Sequence, residues 1–125
     1  MYTFEKRISQ TDHDGMVSNT AVHLKNNNYV NVKADVTSFF SPDKIINHRP
    51  DLSASKGLYE YIFEVETSDT INIDHTRKQW KEFGNYAALS SYRKFVVIVP
   101  SKKYEKEAQM VLNELSVNAD IWYFE

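Results

Sequence analysis

Apolar residues recur along the chain with two periods, and the changes of period divide it into eight elements. From Ser18 to Asn27 the spacing predicts a helix, with Ser18 or Asn19 as its cap and Ala21, Val22 and Leu24 as a short apolar face. Tyr29 to Val36 alternates: Val30, Val32, Ala34 and Val36 share one face, and Asn31, Lys33, Asp35 and Thr37 the other, as in a strand with one wetter side. Phe39 to Pro50 has no period and holds the turn Ser41-Pro42-Asp43. Pro50 to Ala54, the turn Ser55-Lys56-Gly57 and the aromatic, β-branched run Leu58 to Thr67 form a hairpin. Thr70 to Leu89 returns to helical spacing, with Ile73, Trp80, Phe83 and Ala87 on one face. Lys94 to Pro100 is continuously apolar, as in a strand covered on both sides. Lys103 to Leu115 is the clearest helix, with Tyr104, Ala108, Val111, Leu112 and Leu115 aligned, and Ala119 to Phe124 closes the chain as a strand.

The order α-β-β-β-α-β-α-β predicts an α/β fold. Its strand–helix–strand–helix–strand tail calls for right-handed crossovers and a central mixed sheet flanked by helices. The chain of 125 residues has only three glycines and three prolines, no repeat and no linker, so residues 1–125 are expected to form a single domain. Residues 1–17 are a poorly defined N-terminal segment. Hydrophobic residues at 42% and charged residues at 26% are globular proportions. No apolar run reaches the length of a membrane span, so no membrane association is expected. The absence of cysteine excludes disulfides and thiolate metal sites. The N-terminus has no secretory signal, and a cytoplasmic location is the expectation. A net charge of −2 argues against a general nucleic-acid coat; any contact with DNA must come from a local patch.

The chemistry worth following lies in the hairpin. Glu64 and Glu66 are two apart on a strand, so both project from one face, among Tyr61, Ile62, Phe63 and Val65. Like charges side by side in apolar surroundings raise each other's protonation cost unless a cation neutralises them. Pairing across the turn at Lys56-Gly57 brings Asp51 beside Glu64, and such carboxylates suit a hard cation, Mg²⁺ more than a transition metal. The competing reading is that the two glutamates line the solvent face of an edge strand. The histidines His13, His23, His48 and His75 lack zinc spacing and read as surface or loop residues, with His13 and His48 nearest a cleft.

Arg49-Pro50-Asp51, a hairpin, Phe63-Glu64-Val65-Glu66 and then a helix resemble the active-site signature of the PD-(D/E)XK nuclease superfamily, the restriction endonuclease-like fold, in the compact form of Holliday-junction resolvases. The resemblance covers roughly residues 18 to 125. It implies that Asp51 and Glu64 bind Mg²⁺ (or Mn²⁺), with the Val65 carbonyl as a further ligand. The family's lysine position holds Glu66, which resembles the E-x-E variants of some restriction enzymes; in others the basic group migrates to the next helix, where Arg77, Lys78 and Lys81 lie. Many resolvases carry a glutamate on the first helix. Here those positions hold Asn19 and His23, with Asp12 and Asp14 upstream and Asp35 on the following strand.

The implied activity is that of a metal-dependent DNA endonuclease hydrolysing phosphodiester bonds. Glu66 would orient or deprotonate the water, and a cation from Arg77, Lys78 or Lys81 would offset charge in the transition state. Gln79 resembles a glutamine that positions the nucleophile in related families. Arg49, Arg77, Lys78 and Lys81 are the expected DNA contacts, with a solvated helix face as the plain explanation for the last three. A chain this small that cuts both strands is expected to act as a homodimer. The alternative keeps the fold and loses the chemistry: a degenerate module that binds nucleic acid or a protein partner.

Overall fold

The computed structural model describes residues 2–4 and 12–124. The elements run β1 (Tyr2–Phe4), α1 (His13–Asn26), β2 (Val30–Ala34), β3 (Leu52–Lys56), β4 (Tyr59–Val65), α2 (Asp74–Ala88), β5 (Arg93–Val99), a 3₁₀ turn (Lys102–Tyr104) leading into α3 (Glu105–Leu115), and β6 (Asp120–Phe124). The six strands form one mixed sheet in the order β1-β6-β5-β4-β3-β2. β2, β3 and β4 pair antiparallel, while β4, β5, β6 and β1 are parallel. The α/β class and the parallel β4-α2-β5-α3-β6 tail agree with the sequence pattern.

β5 divides the core as a doubly covered strand must. Val96 and Ile98 face α1 together with Phe63, Val65 and Trp122, while Phe95, Val97 and Val99 face α2 and α3 with Trp80 and Phe83. Gly57, at φ +60, makes the β3–β4 turn in a conformation a side chain would strain. Gly84 has a different reason. A Cβ there would stand 2.5 Å from Val117 Cγ1, so glycine lets α2 press against the segment leading into β6.

Four expectations are corrected. A strand the pattern does not predict, Tyr2–Phe4, pairs with β6, so the first seventeen residues are not all undefined; residues 5–11 lie outside the described residues. α1 begins at His13 rather than Ser18, because the Asp12 side chain accepts the Gly15 amide at 2.7 Å and caps the helix well over a turn earlier. α2 begins at Asp74, which leaves Ile73 at its cap, 43% exposed; Ile71 is the buried isoleucine. Val30 is exposed because β2 shifts register between Val30 and Lys33, where Asn31 takes a positive φ of 53°. Among the described residues no helix is long and apolar enough to cross a membrane.

Candidate active site

Asp51 and Glu64 stand opposite each other where the β3–β4 ladder stops. The last backbone pair is Leu52 with Phe63. Beyond it the strands are joined by side chains. The Asp51 amide donates to Glu64 Oε1 at 3.0 Å, and the Val65 amide donates to Asp51 Oδ2 at 2.8 Å. The clasp is reciprocal, so each carboxylate also satisfies the other strand's exposed N–H.

Leu52 and Phe63 point to the α1 side, which sends Asp51, Glu64 and Glu66 to the side of α2 and α3. Both glutamates are buried, Glu64 at 3% and Glu66 at 4% exposure. They do not line a solvent face, and an edge-strand origin is excluded because β4 lies between β3 and β5. Glu66 is held on both oxygens: the Thr70 hydroxyl donates to Oε1 at 2.8 Å and the Trp80 indole to Oε2 at 3.0 Å. Trp80 is fully buried, as its helical spacing predicts, yet its polar edge belongs to the acidic cluster.

Among the described residues, the cation that reaches this cluster is His13, at the first turn of α1. Its Nε2 lies 3.1 Å from Asp51 Oδ2, and its Nδ1 lies 3.2 Å from Asp14. The hydrogen bond to Asp51, with the charge of that carboxylate and of Asp14, pushes the imidazole up to about 9 against the opposing effect of burial. Burial holds the Glu64 carboxyl well above the usual carboxylate range, with the charges of Asp51 and Glu66 acting in the same direction. Burial also raises Glu66 to about 7, opposed by the bonds from Thr70 and Trp80. Near neutral pH the cluster therefore offsets its charge internally: an imidazolium stands on Asp51, burial favours the protonated form of Glu64, and Glu66 lies close to its midpoint.

The basic residues of α2 turn elsewhere. Arg77 reaches Asn72 and Glu114, and Lys81 donates to the Leu115 carbonyl at 2.7 Å. With exposed Lys78 they line an open cleft of about 610 Å³ that also takes in Asn47, His48 and Glu82. Among the described residues none of the three bonds to Asp51, Glu64 or Glu66; the α2 residue that reaches the carboxylates is Trp80, through its indole N–H. Gln79 is half-buried on α2. Arg49 donates to the Pro42 carbonyl and braces the loop before Pro50. His48 pairs with Glu82 at 3.1 Å. Of the other acidic candidates, Asp12 caps α1, and exposed Asp35 accepts from Ser41 at 3.3 Å. Asn19 is buried, and its amide nitrogen lacks a partner among the described residues.

Among the described residues no three Asp, Glu, His or Cys side chains are arranged to hold a metal ion. Asp51 Oδ2 serves the Val65 amide and His13, while Glu64 Oε1 serves the Asp51 amide. The donor chemistry nonetheless fits a hard divalent cation: three carboxyl groups share one side of the sheet, and a buried glutamate beside two others is relieved by positive charge. The sequence singles out Asp51, Glu64 and Glu66 and sets His13 near a cleft as a surface or loop residue, but nothing local in it links His13 to Asp51. No family model, curated protein or solved structure matches the chain.

Proposed function

We propose that the chain is a metal-dependent DNA endonuclease of the PD-(D/E)XK type, with Asp51 and Glu64 as the metal-binding carboxylates. The observation that carries this reading is the Asp51–Glu64 clasp: two acids opposite each other, at the point where backbone pairing ends, with a third beside them. N–H and C=O of one strand residue point to the same neighbouring strand, so the Val65 carbonyl is directed toward Asp51 along with its amide.

A bound Mg²⁺ or Mn²⁺ would polarise a phosphoryl oxygen and acidify its water. The chain's own residues supply the remainder. Glu66, raised to about 7, is poised to take a proton near neutral pH. Trp80 and Thr70 fix its orientation. His13 supplies a positive charge that the family's lysine position, held here by Glu66, does not, and its imidazolium must leave Asp51 Oδ2 for that oxygen to coordinate a metal. Lys78, Arg77, Lys81 and Arg49 are retained as DNA contacts outside the chemical centre; Gln79 has no assigned partner in the reaction. Cutting both strands of a duplex would engage a homodimer.

A second reading draws on the same ion pair. Because His13 already neutralises Asp51, the cluster is also what a degenerate nuclease-fold module, binding nucleic acid or a protein partner, would keep for stability alone. A nicking assay on plasmid and branched DNA with Mg²⁺ or Mn²⁺ separates the two. Cleavage by the wild type that is lost in both Asp51→Ala and Glu64→Ala is the expected result. Cleavage unchanged in both variants removes the proposed site, and a wild type without cleavage in either metal leaves the binding module.

A further inference from the structure

At the other end of β4 the sheet shows aromatic rings and lysines to solvent. Tyr59 and Tyr61 on β4 lie on the α1 side with Phe63, and the pairings Lys56 with Tyr59 and Tyr61 with Lys94 set a lysine on each neighbouring strand. On β5, Val96 and Ile98 belong to this side, so Lys94 does too, and Tyr92 in the turn before β5 sets its ring beside Tyr59. Helix α1 covers Phe63 and Val65 but stops short of the hairpin, leaving Tyr59 39% and Tyr92 54% exposed, with Leu58 at 79% on the turn. The Tyr59 and Tyr92 rings have centroids 6.1 Å apart, and Lys94 Nζ stands 5.1 Å from the Tyr59 centroid. Lys56 Nζ lies 4.8 Å from the Tyr29 ring, which abuts Tyr61 edge-on at 5.2 Å.

Neither Lys56 nor Lys94 is ion-paired among the described residues. The neighbouring Glu60 faces the other side of the sheet and is engaged by Arg93 and Tyr86. Asp120, opposite Val96 on β6, is an acidic residue bordering the strip. Flat exposed rings interleaved with unpaired ammonium groups, on a chain of net charge −2, call for an anionic partner with planar groups of its own.

We infer that this strip, centred on Tyr59 and Tyr92 and flanked by Lys56 and Lys94, binds single-stranded nucleic acid, with bases stacked on the rings and phosphates on the lysines. A second copy of the chain is disfavoured as occupant, because a twofold contact sets the patch against itself and brings lysine toward lysine. A duplex is disfavoured because its base faces are already stacked, whereas unpaired bases present them to aromatic side chains. The strip is about 17 Å along β4 from Glu64, at the strand rise of extended chain.

The test is fluorescence anisotropy of a labelled oligothymidylate of about 20 nucleotides, enough to span one such surface, titrated with the full chain in EDTA. The carboxylates take no part without a metal, so this result and that of the nicking assay fail independently. Wild-type binding is expected, weakened about tenfold or more by Tyr59→Ala with Tyr92→Ala. Lys56→Gln with Lys94→Gln is expected to lower the slope of log affinity against log salt by about 1.4. These side chains lie outside the core, and the lysine pair gives a second readout should the tyrosine pair melt early. Absence of wild-type binding, an unchanged affinity in both double variants, or equal displacement by a duplex of the same length overturns the inference. So does loss, in the same variants, of binding to phosphatidylserine vesicles or of a dimer seen by light scattering, when oligothymidylate binding is unaffected.

Discussion

The two ends of β4 solve opposite problems. At Glu64 and Glu66 polar atoms are buried, and three elements supply partners for them: the start of β3, the segment after β4, and α2. At Tyr59 apolar surface is left in water with only lysine stems and other rings beside it. A strand crossing a small sheet needs neither feature for folding, since Ile62 and Phe63 in its middle already anchor both cores. The difference shows that the middle of β4 maintains the fold, while both ends depart from what folding alone would choose.

Substitutions along β4 measure that division. Phe63→Ala, at the fully buried centre, should destabilise by about 3–5 kcal/mol in urea melts, the usual cost of emptying an aromatic core site. A much smaller loss would mean that the centre is not the anchor.

The acidic end should reveal itself through pH. Glu66 is raised to about 7 and His13 to about 9, so between pH 5 and 9 the folded chain holds protons that the unfolded chain releases. Stability must then fall as pH rises through that window. The buried Glu66 contributes on the order of 2–3 kcal/mol to the fall, and half-exposed His13 adds less because solvent screens its ion pair. Thermal melts should thus be highest near pH 5, and a divalent cation should flatten the slope by replacing those protons. A melting temperature that rises from pH 5 to 9 would contradict the charge balance described for the cluster.

Glu64→Gln keeps the shape and the acceptor for the Asp51 amide while removing the charge. At pH 8 in EDTA it should stabilise by about 1–2 kcal/mol, with the gain shrinking when Mg²⁺ is added. The smallest effect belongs to the far end: Tyr59→Ala should change stability by less than about 1 kcal/mol, since its ring is 39% exposed and packs on the surface residues Tyr92 and Lys94 rather than in either core. A large loss there would make the tyrosine part of the core and remove the contrast.

Much of this molecule is legible in its sequence wherever one period runs long enough. α3, β5 and the hairpin are of that kind, and the hairpin register alone places Asp51 opposite Glu64. What escapes is shorter than a period or depends on distant partners. Tyr2–Phe4 has three residues and no pattern to read. Asp12-His13-Asp14-Gly15 looks like a turn, and only the cap bond from Gly15 makes it a helix start. Arg77 and Lys81 follow the acidic strand closely in sequence, yet the helix phase that buries Trp80 turns them toward Glu114 and Leu115. The contact of His13 with Asp51 joins α1 to the start of β3, which no local spacing reveals.

The three-residue strand β1 has a consequence for how copies of the chain behave toward one another. By pairing with Trp122, Tyr123 and Phe124, it occupies the outer amides and carbonyls of an aromatic edge. Removing it would turn β6 into an open, sticky margin able to recruit further strands, so trimming the first few residues invites fibrillar or amorphous aggregation.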